Sequence, residues 1–461
     1  MKRSTFQAII FSLLTIAVAA VIVMVFFMDH QLKALGYTPE QINSFKKYHI
    51  EDEVKTYNPA LLIALESDQF DKNKVDYYVL FEYDSDVTRD INDLADMYSL
   101  EEYSRLLNSL SPDEMLMLVF KDRINNLDSF LKIKEHGYDV DMAYIAQAGI
   151  TGDYLQHFLV SPIYSESFLD SYIKLANTGY SFNLIDCLYE RFNEEDAAIV
   201  ARFKKFDRLE ELMLCEEFKM DNCARYLWYA EKYSSLSSEQ VVSNVNKNRD
   251  VPASISYSSL YNNTTVLTDP DPLYLLVDKQ HRLADDWQPP ELVNIDPEYR
   301  GNNTPVNRDA LEHFKEMSDA YKESHTKRLI CQDGYISFEA QQALYETTVE
   351  SLAEVDQEDT VIDTFMARGG YSEHQTGLAL NITEKDTSIY NVQDTAAVKW
   401  LESNAHEYGF ILRYPKGKDF ITGYSYIPYH YRYVGEENAV IMHKYNWTYE
   451  EFYYLIIIEH E

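Results

Sequence analysis

Cysteine is scarce in this 461-residue chain: Cys187, Cys215, Cys223 and Cys331 are the only four. None lies in CxxC spacing, which speaks against a cysteine-ligated zinc site and against a disulfide-stapled scaffold. Positive charge is also short. Forty-one Lys and Arg face 76 Asp and Glu, a formal net charge of −35. A surface this acidic repels phosphates, so nucleic acid is excluded as a partner and anionic lipid is disfavoured as a docking surface. What the chain has in quantity is apolar and aromatic: 46% hydrophobic residues, 14% aromatic, 38 tyrosines. This is the composition of a folded protein rather than a disordered one. The length exceeds one ordinary core and implies two or three domains.

One long apolar run occurs. Ala8 to Met28 holds 21 residues without a charge, with Ser12 and Thr15 its only polar members. At about 1.5 Å per residue it covers the roughly 30 Å thickness of a bilayer core. Lys2 and Arg3 precede it and Asp29 follows. The charge asymmetry predicts a cytoplasmic tail at 1–7, a transmembrane helix at 8–28, and the remainder outside. A cleaved signal peptide is the competing reading, but Val25-Phe26-Phe27-Met28 offers no small-residue cleavage site. The lack of any polar face disfavours the bland alternative, a core helix with one side on solvent.

Residues 31–248 read as helix after helix. Ser99 with Glu102 forms a capping box, and Ser111-Pro112 starts the next helix with proline in its first turn. A short motif recurs at Gly36-Tyr37-Thr38, Gly137-Tyr138-Asp139 and Gly179-Tyr180-Ser181. The glycine ends one helix in a left-handed conformation, the tyrosine packs, and Thr, Asp or Ser caps the next helix. The uneven spacing leaves room for a degraded copy between the first two. Stacked helical pairs and an ordinary helical domain with three similar turns both fit. No metal-ligand cluster, nucleophile motif or phosphate loop occurs here, so the region reads as a spacer or partner surface. Residues 249–271, rich in Ser, Asn, Asp and Pro, form the expected linker.

The last part, 272–461, mixes helices and short strands, an α+β pattern. Leu273 to Val277 reads as a buried strand. Asn307 to Tyr321 is an amphipathic helix. In the run leading to Thr383, Leu378, Leu380 and Ile382 face one way, Ala379 and Asn381 the other. Thr395 to Tyr408 is a helix ended by Gly409, and strands follow at 410–414 and within 423–434. The aromatic run through Tyr424, Tyr426, Tyr429, Tyr431 and Tyr433 reads as strand packing first and a ligand platform second.

The segments LLVDKQHRL, GYISFEAQ, SEHQTGLAL, WLESNAHEYGFILRYPKGKDFITGY and PYHYRYVG resemble the VanY-type D-alanyl-D-alanine carboxypeptidases, the M15 zinc peptidases of bacterial cell walls. The resemblance covers about 190 residues and implies a VanY-like fold for 272–461. It also implies a site in which two His and an Asp hold zinc, a Glu takes the proton of the metal-bound water, and an Arg pairs with the substrate's terminal carboxylate. Carried over residue by residue, Ser372, His374 and Gln341 match, and His430 matches the last ligand. The Asp ligand position is Asn381, the general-base position is Ile427, and the Arg position is Ile336. An amide is a poorer ligand for a hard dication, isoleucine accepts no proton, and a hydrocarbon cannot pair with a carboxylate.

The resemblance therefore implies a D-alanyl-D-alanine carboxypeptidase-like domain that is catalytically inactive or impaired, with zinc weak or absent. It would bind peptidoglycan stem peptides or a cell-envelope protein at a bacterial cell membrane, held by the single pass at 8–28. The alternative is an active zinc D,D- or L,D-carboxypeptidase trimming stem peptides.

Overall fold

The computed structural model describes residues 21–456, apart from 22–23, 26, 52–53, 55–57, 82–84, 161–163, 263, 269–270 and 354–358. The tail at 1–7 and most of the run at 8–28 lie outside the described residues. Among those described, no helix is long and apolar enough to cross a membrane. A span needs about 20 continuous apolar helical residues. The expected transmembrane helix, the single-pass topology and the membrane location drawn from it are therefore corrected: nothing in the described structure supports them.

The chain forms two compact units, one of residues 1–185 with 192–198, the other of 186–191 with 199–461. The first is helical. Its turns follow the physics of the recurring motif. Gly36, Gly137 and Gly179 all take positive φ. Tyr37, Tyr138 and Tyr180 are buried. Thr38, Asp139 and Ser181 each accept a bond from the backbone N–H three residues on. Between the first two, Tyr98-Ser99 follows the same pattern without the glycine, Ser99 and Glu102 completing a capping box. Tyr37, Tyr98 and Tyr138 use their hydroxyls alike. Each accepts from a later backbone N–H: Asn58 at 3.0 Å, Ile124 at 3.1 Å and Tyr164 at 3.4 Å. One helical layer is thereby tied to the next.

The second unit contains more than the carboxypeptidase-like segment. Helices Leu209–Met213, Cys223–Lys232 and Ser238–Asn246 pack within it. The Lys204 N–H donates to the Leu455 carbonyl at 2.8 Å. Trp447 donates its indole N–H to the Met220 carbonyl at 3.1 Å. The expected boundary at 249–271 thus does not coincide with the division between compact units. The apolar face of helix Cys223–Lys232 is buried on the C-terminal helix Tyr449–Leu455, and composition along the chain does not report such a long-range contact.

At the centre of this unit lies a four-stranded antiparallel sheet of β1 (Leu329–Asp333), β2 (Ala379–Glu384), β3 (Phe410–Leu412) and β4 (His430–Tyr433), in the order β1-β2-β4-β3. Helix Arg308–Ser324, capped by Asn307, buries Phe314, Met317 and Tyr321 against Leu329, Leu380 and Tyr431. The Leu273–Val277 strand is not formed. Pro272–Tyr274 makes a short 3-10 turn, and Leu275 and Val277 are buried without strand pairing. The Arg432 guanidinium takes up the Pro272 carbonyl at 2.6 Å. An apolar run signals burial, and here burial comes without a ladder.

Register positions the site. A shift in pairing falls between Cys331 and Asp333, after which Asp333 pairs with Asn381, and Asn381 with His430. Directly paired residues of antiparallel strands share a face, so these three side chains form a row across three strands.

Candidate functional site

His374 enters from the 3-10 turn Glu373–Thr376, which closes on Gly377 at φ 72° with its N–H on the His374 carbonyl. A Cβ at Gly377 would meet the Leu292 side chain at 2.8 Å, so both space and conformation call for glycine. The His374 Nδ1 donates to the Gly334 carbonyl at 2.7 Å. A carbonyl only accepts, so this bond places the ring proton on Nδ1 and leaves Nε2 with its lone pair. The rings of His374 and His430 meet edge to face at 4.8 Å. Burial, then the neighbouring His430, pushes His374 down to about 4. Burial also lowers His430.

The structure brings His374, Asn381 and His430 together. The bonding within the row differs from a ligand set. The Asn381 amide donates to Asp333 Oδ2 at 3.2 Å, and its oxygen lies 3.0 Å from His430 Nδ1. Because the carboxylate only accepts, Asp333 fixes the orientation of the amide. The amide oxygen in turn holds the proton on His430 Nδ1. These atoms satisfy one another. The donor set is two imidazoles and a neutral amide. Among the described residues, no group of three or more His, Cys, Asp or Glu is arranged to hold a metal ion. The residues present therefore do not fit the zinc centre that the resemblance implies.

The other positions are equally explicit. Ile427 is buried against Tyr414 and Tyr424, and its N–H donates to the Tyr414 carbonyl at 3.1 Å. Ile336 is half-buried, with its N–H on the His374 carbonyl at 3.3 Å. Gln341 is buried and donates to the Ala367 carbonyl at 2.8 Å. Ser372 is buried and caps the 3-10 turn by position, without a side-chain bond.

Motif reading did not identify the charge cluster behind the histidines. Glu373, Arg413 and Arg432 are fully buried. Glu373 Oε1 lies 2.8 Å from Arg413 Nε and 3.5 Å from Arg432 Nη1, and Arg413 reaches Glu450 at 2.7 Å. Burial pushes the Glu373 carboxyl up, but Arg413 and then Arg432 overcome this and hold it at about 2. Its second oxygen is 3.9 Å from His430 Nε2, too far for a direct bond. Glu373 is thus a constitutive anion engaged by two guanidiniums, not a substitute base. One signal for it exists in the sequence: Arg413 and Arg432 interrupt apolar strands, and a buried charge needs a partner.

The centre is thus a short antiparallel sheet with two converging histidines, His430 on a strand and His374 on the adjoining 3-10 turn. The family model described as VanY, D-alanyl-D-alanine carboxypeptidase, matches residues 303–436. The putative carboxypeptidase YodJ of Bacillus subtilis (strain 168) is 34% identical over 194 residues, 41% of this chain and 69% of that protein. The bifunctional D-Ala-D-Ala dipeptidase and D-Ala-D-Ala carboxypeptidase VanXYC of Enterococcus gallinarum is 32% identical over 185 residues, 39% of this chain and 92% of its own length. The solved structure of the LdcB LD-carboxypeptidase is 30% identical and covers 43% of this chain and 97% of its own, with a TM-score of 0.39. The chain belongs to the VanY D-alanyl-D-alanine carboxypeptidase family through its C-terminal region. That region is a cell-wall carboxypeptidase-like domain.

Proposed function

We propose that this protein is a catalytically inactive VanY-type domain that binds peptidoglycan stem peptides, or a cell-envelope protein, without cleaving them. One observation carries the reading. Where the family reaction needs a proton acceptor, Ile427 is packed into the Tyr414–Tyr424 cluster and can accept nothing. Loss of a general base alone costs roughly 10² to 10⁴ in rate. Asn381 and Ile336 remove a charged ligand and a carboxylate partner at the same site, and groups that act as a unit do not retain function piecemeal. The test uses the purified full chain: bound zinc by mass spectrometry, D-alanine release from a stem pentapeptide, and pentapeptide binding by calorimetry. Saturable binding without release, and zinc well below one per chain, is the expected result. Stoichiometric zinc with turnover abolished by His374→Ala would overturn the inactive reading. Absence of both peptide and envelope-protein binding would overturn the binding reading.

The second reading is an active D,D- or L,D-carboxypeptidase. It is favoured by the 34% identity to a putative carboxypeptidase and by the convergence of His374, Asn381 and His430. D-alanine release in the same assay selects it.

A further inference from the structure

A cavity of about 580 Å³ lies within the second unit, with nearly all of its wall outside the stretch that matches the family model. Its walls come from helix Cys223–Lys232, residues 276–281, the short helix Asp419–Thr422 and helix Tyr449–Leu455. The volume is in the range of pockets that hold small organic ligands.

Five aromatic side chains line it: Trp228, Tyr229, Phe420, Tyr453 and Tyr454. All five are half-buried, so parts of their rings are open. Trp228 and Tyr454 lie 5.1 Å apart at 49° and offer two differently inclined surfaces. The ionic groups of the wall balance, with Lys204, Arg225 and Lys232 against Asp250, Asp278 and Glu450. The acids are already matched. Arg225 makes two 2.7 Å contacts to Asp250, His281 Nδ1 is 2.9 Å from Asp278, and Glu450 Oε1 holds Arg413 at 2.7 Å. A cationic ligand would therefore find no free acid, and Lys204 Nζ is itself bonded to the Tyr453 carbonyl at 2.7 Å, so an uncharged ligand leaves these contacts in place.

A ligand suited to this wall has apolar faces for the rings, no net charge, and several hydroxyls for a rim of mixed donors and acceptors. A pyranose meets all three requirements, since its C–H faces stack on aromatic rings while its hydroxyls project sideways. Glu450 Oε2, which has no hydrogen-bond partner within the protein, and the exposed Gln280 supply polar contacts. We propose that this cavity binds an uncharged saccharide of one or two pyranose rings, stacked on Trp228 and the neighbouring tyrosines. The inference does not depend on the proposed function, because none of the candidate site residues lines this cavity.

Calorimetry on the full chain tests it with N,N′-diacetylchitobiose, cellobiose and maltose, and with a stem pentapeptide as competitor. At least one disaccharide binds saturably below about 10 mM. Trp228→Ala weakens that binding about tenfold. Trp228→Phe retains most of it, and Trp228→Leu, which keeps apolar bulk without a ring, behaves like the alanine variant while leaving the melting temperature nearly unchanged. Excess pentapeptide does not displace the sugar. Failure of all three disaccharides overturns the proposal. So does binding that Trp228→Leu leaves intact, or displacement by the pentapeptide, which would make the cavity a peptide site. Failure of pentapeptide binding with sugar binding intact would instead count against the proposed function alone.

Discussion

Replacing Glu373 with glutamine removes one charge from the centre of the second unit and leaves the shape almost unchanged. Its carboxylate is fully buried, 2.8 Å from Arg413 and 3.5 Å from Arg432. The carboxyl stands at about 2 in the fold against an ordinary 4.5, because the two guanidiniums outweigh the cost of burial. A difference of about 2.5 units at about 1.36 kcal/mol each corresponds to about 3 kcal/mol. Breaking a buried ion pair by removing one partner costs about 3–5 kcal/mol, which agrees. Arg413 keeps Glu450 at 2.7 Å, so the lower end of that range is expected. All four tryptophans lie in the second unit, so tryptophan fluorescence during urea unfolding of the full chain reports this unit alone. The Glu373→Gln midpoint should fall by about 1 M or more. The pH dependence follows from the direction of the shift. A lowered folded value means that the stabilisation is complete above 4.5 and is lost as pH falls from 4.5 toward 2. The variant should therefore lose part of the steep acid limb seen in the parent. A loss below about 1 kcal/mol, with the acid limb unchanged, would refute the reasoning. Glu450 would then suffice to neutralise Arg413.

Other perturbations probe separate links. Combining Asn381→Asp, Ile427→Glu and Ile336→Arg restores the family's chemical set on the existing frame. The triple variant should bind about one zinc per chain by mass spectrometry, and no gain in zinc would show that the frame has moved. Asp333→Ala removes the acceptor that orients the Asn381 amide, so the amide can turn over and the His430 Nδ1 proton signal in NMR should shift or broaden. An unchanged signal would mean that Asp333 does not hold the tautomer. Ser99→Ala breaks a capping box in the first unit and should cost about 1 kcal/mol there, leaving the tryptophan-reported transition unmoved. Trp447→Ala should destabilise the second unit by about 3–5 kcal/mol, because the indole is buried and bonded to Met220. A small effect would mean that the 199–250 helices add little to that unit.

Local rules were readable without a structure. Ser99 and Glu102 marked a helix start, and Gly36, Gly137 and Gly179 marked left-handed helix ends, because caps and turns depend on a few consecutive residues. The alternation at 378–382 marked a strand for the same reason. The family likeness rested on short motifs, and within them Asn381, Ile427 and Ile336 stand where the resemblance implies an Asp, a Glu and an Arg. Besides the membrane span, two expectations differ from the structure where local signals say too little. The apolar run at Leu273–Val277 is buried without strand pairing, since hydrophobicity reports burial and not hydrogen bonding. The composition change near 249–271 marks no boundary between units, since a polar stretch can join parts of one core.

The sequence by itself determined the identity of each side chain at the centre, including an amide at 381 and a hydrocarbon at 427 where the family resemblance implies carboxylates. Only the tertiary structure decided what those side chains do. The pairing shift after Cys331 sets Asp333 beside Asn381, which directs the amide and through it the proton of His430. Folding also brings Glu373, Arg413, Arg432 and Glu450, drawn from four separate segments, into one buried cluster. Register and burial arise from contacts between residues tens of positions apart. They set the electrostatics of a site whose members are individually visible along the chain.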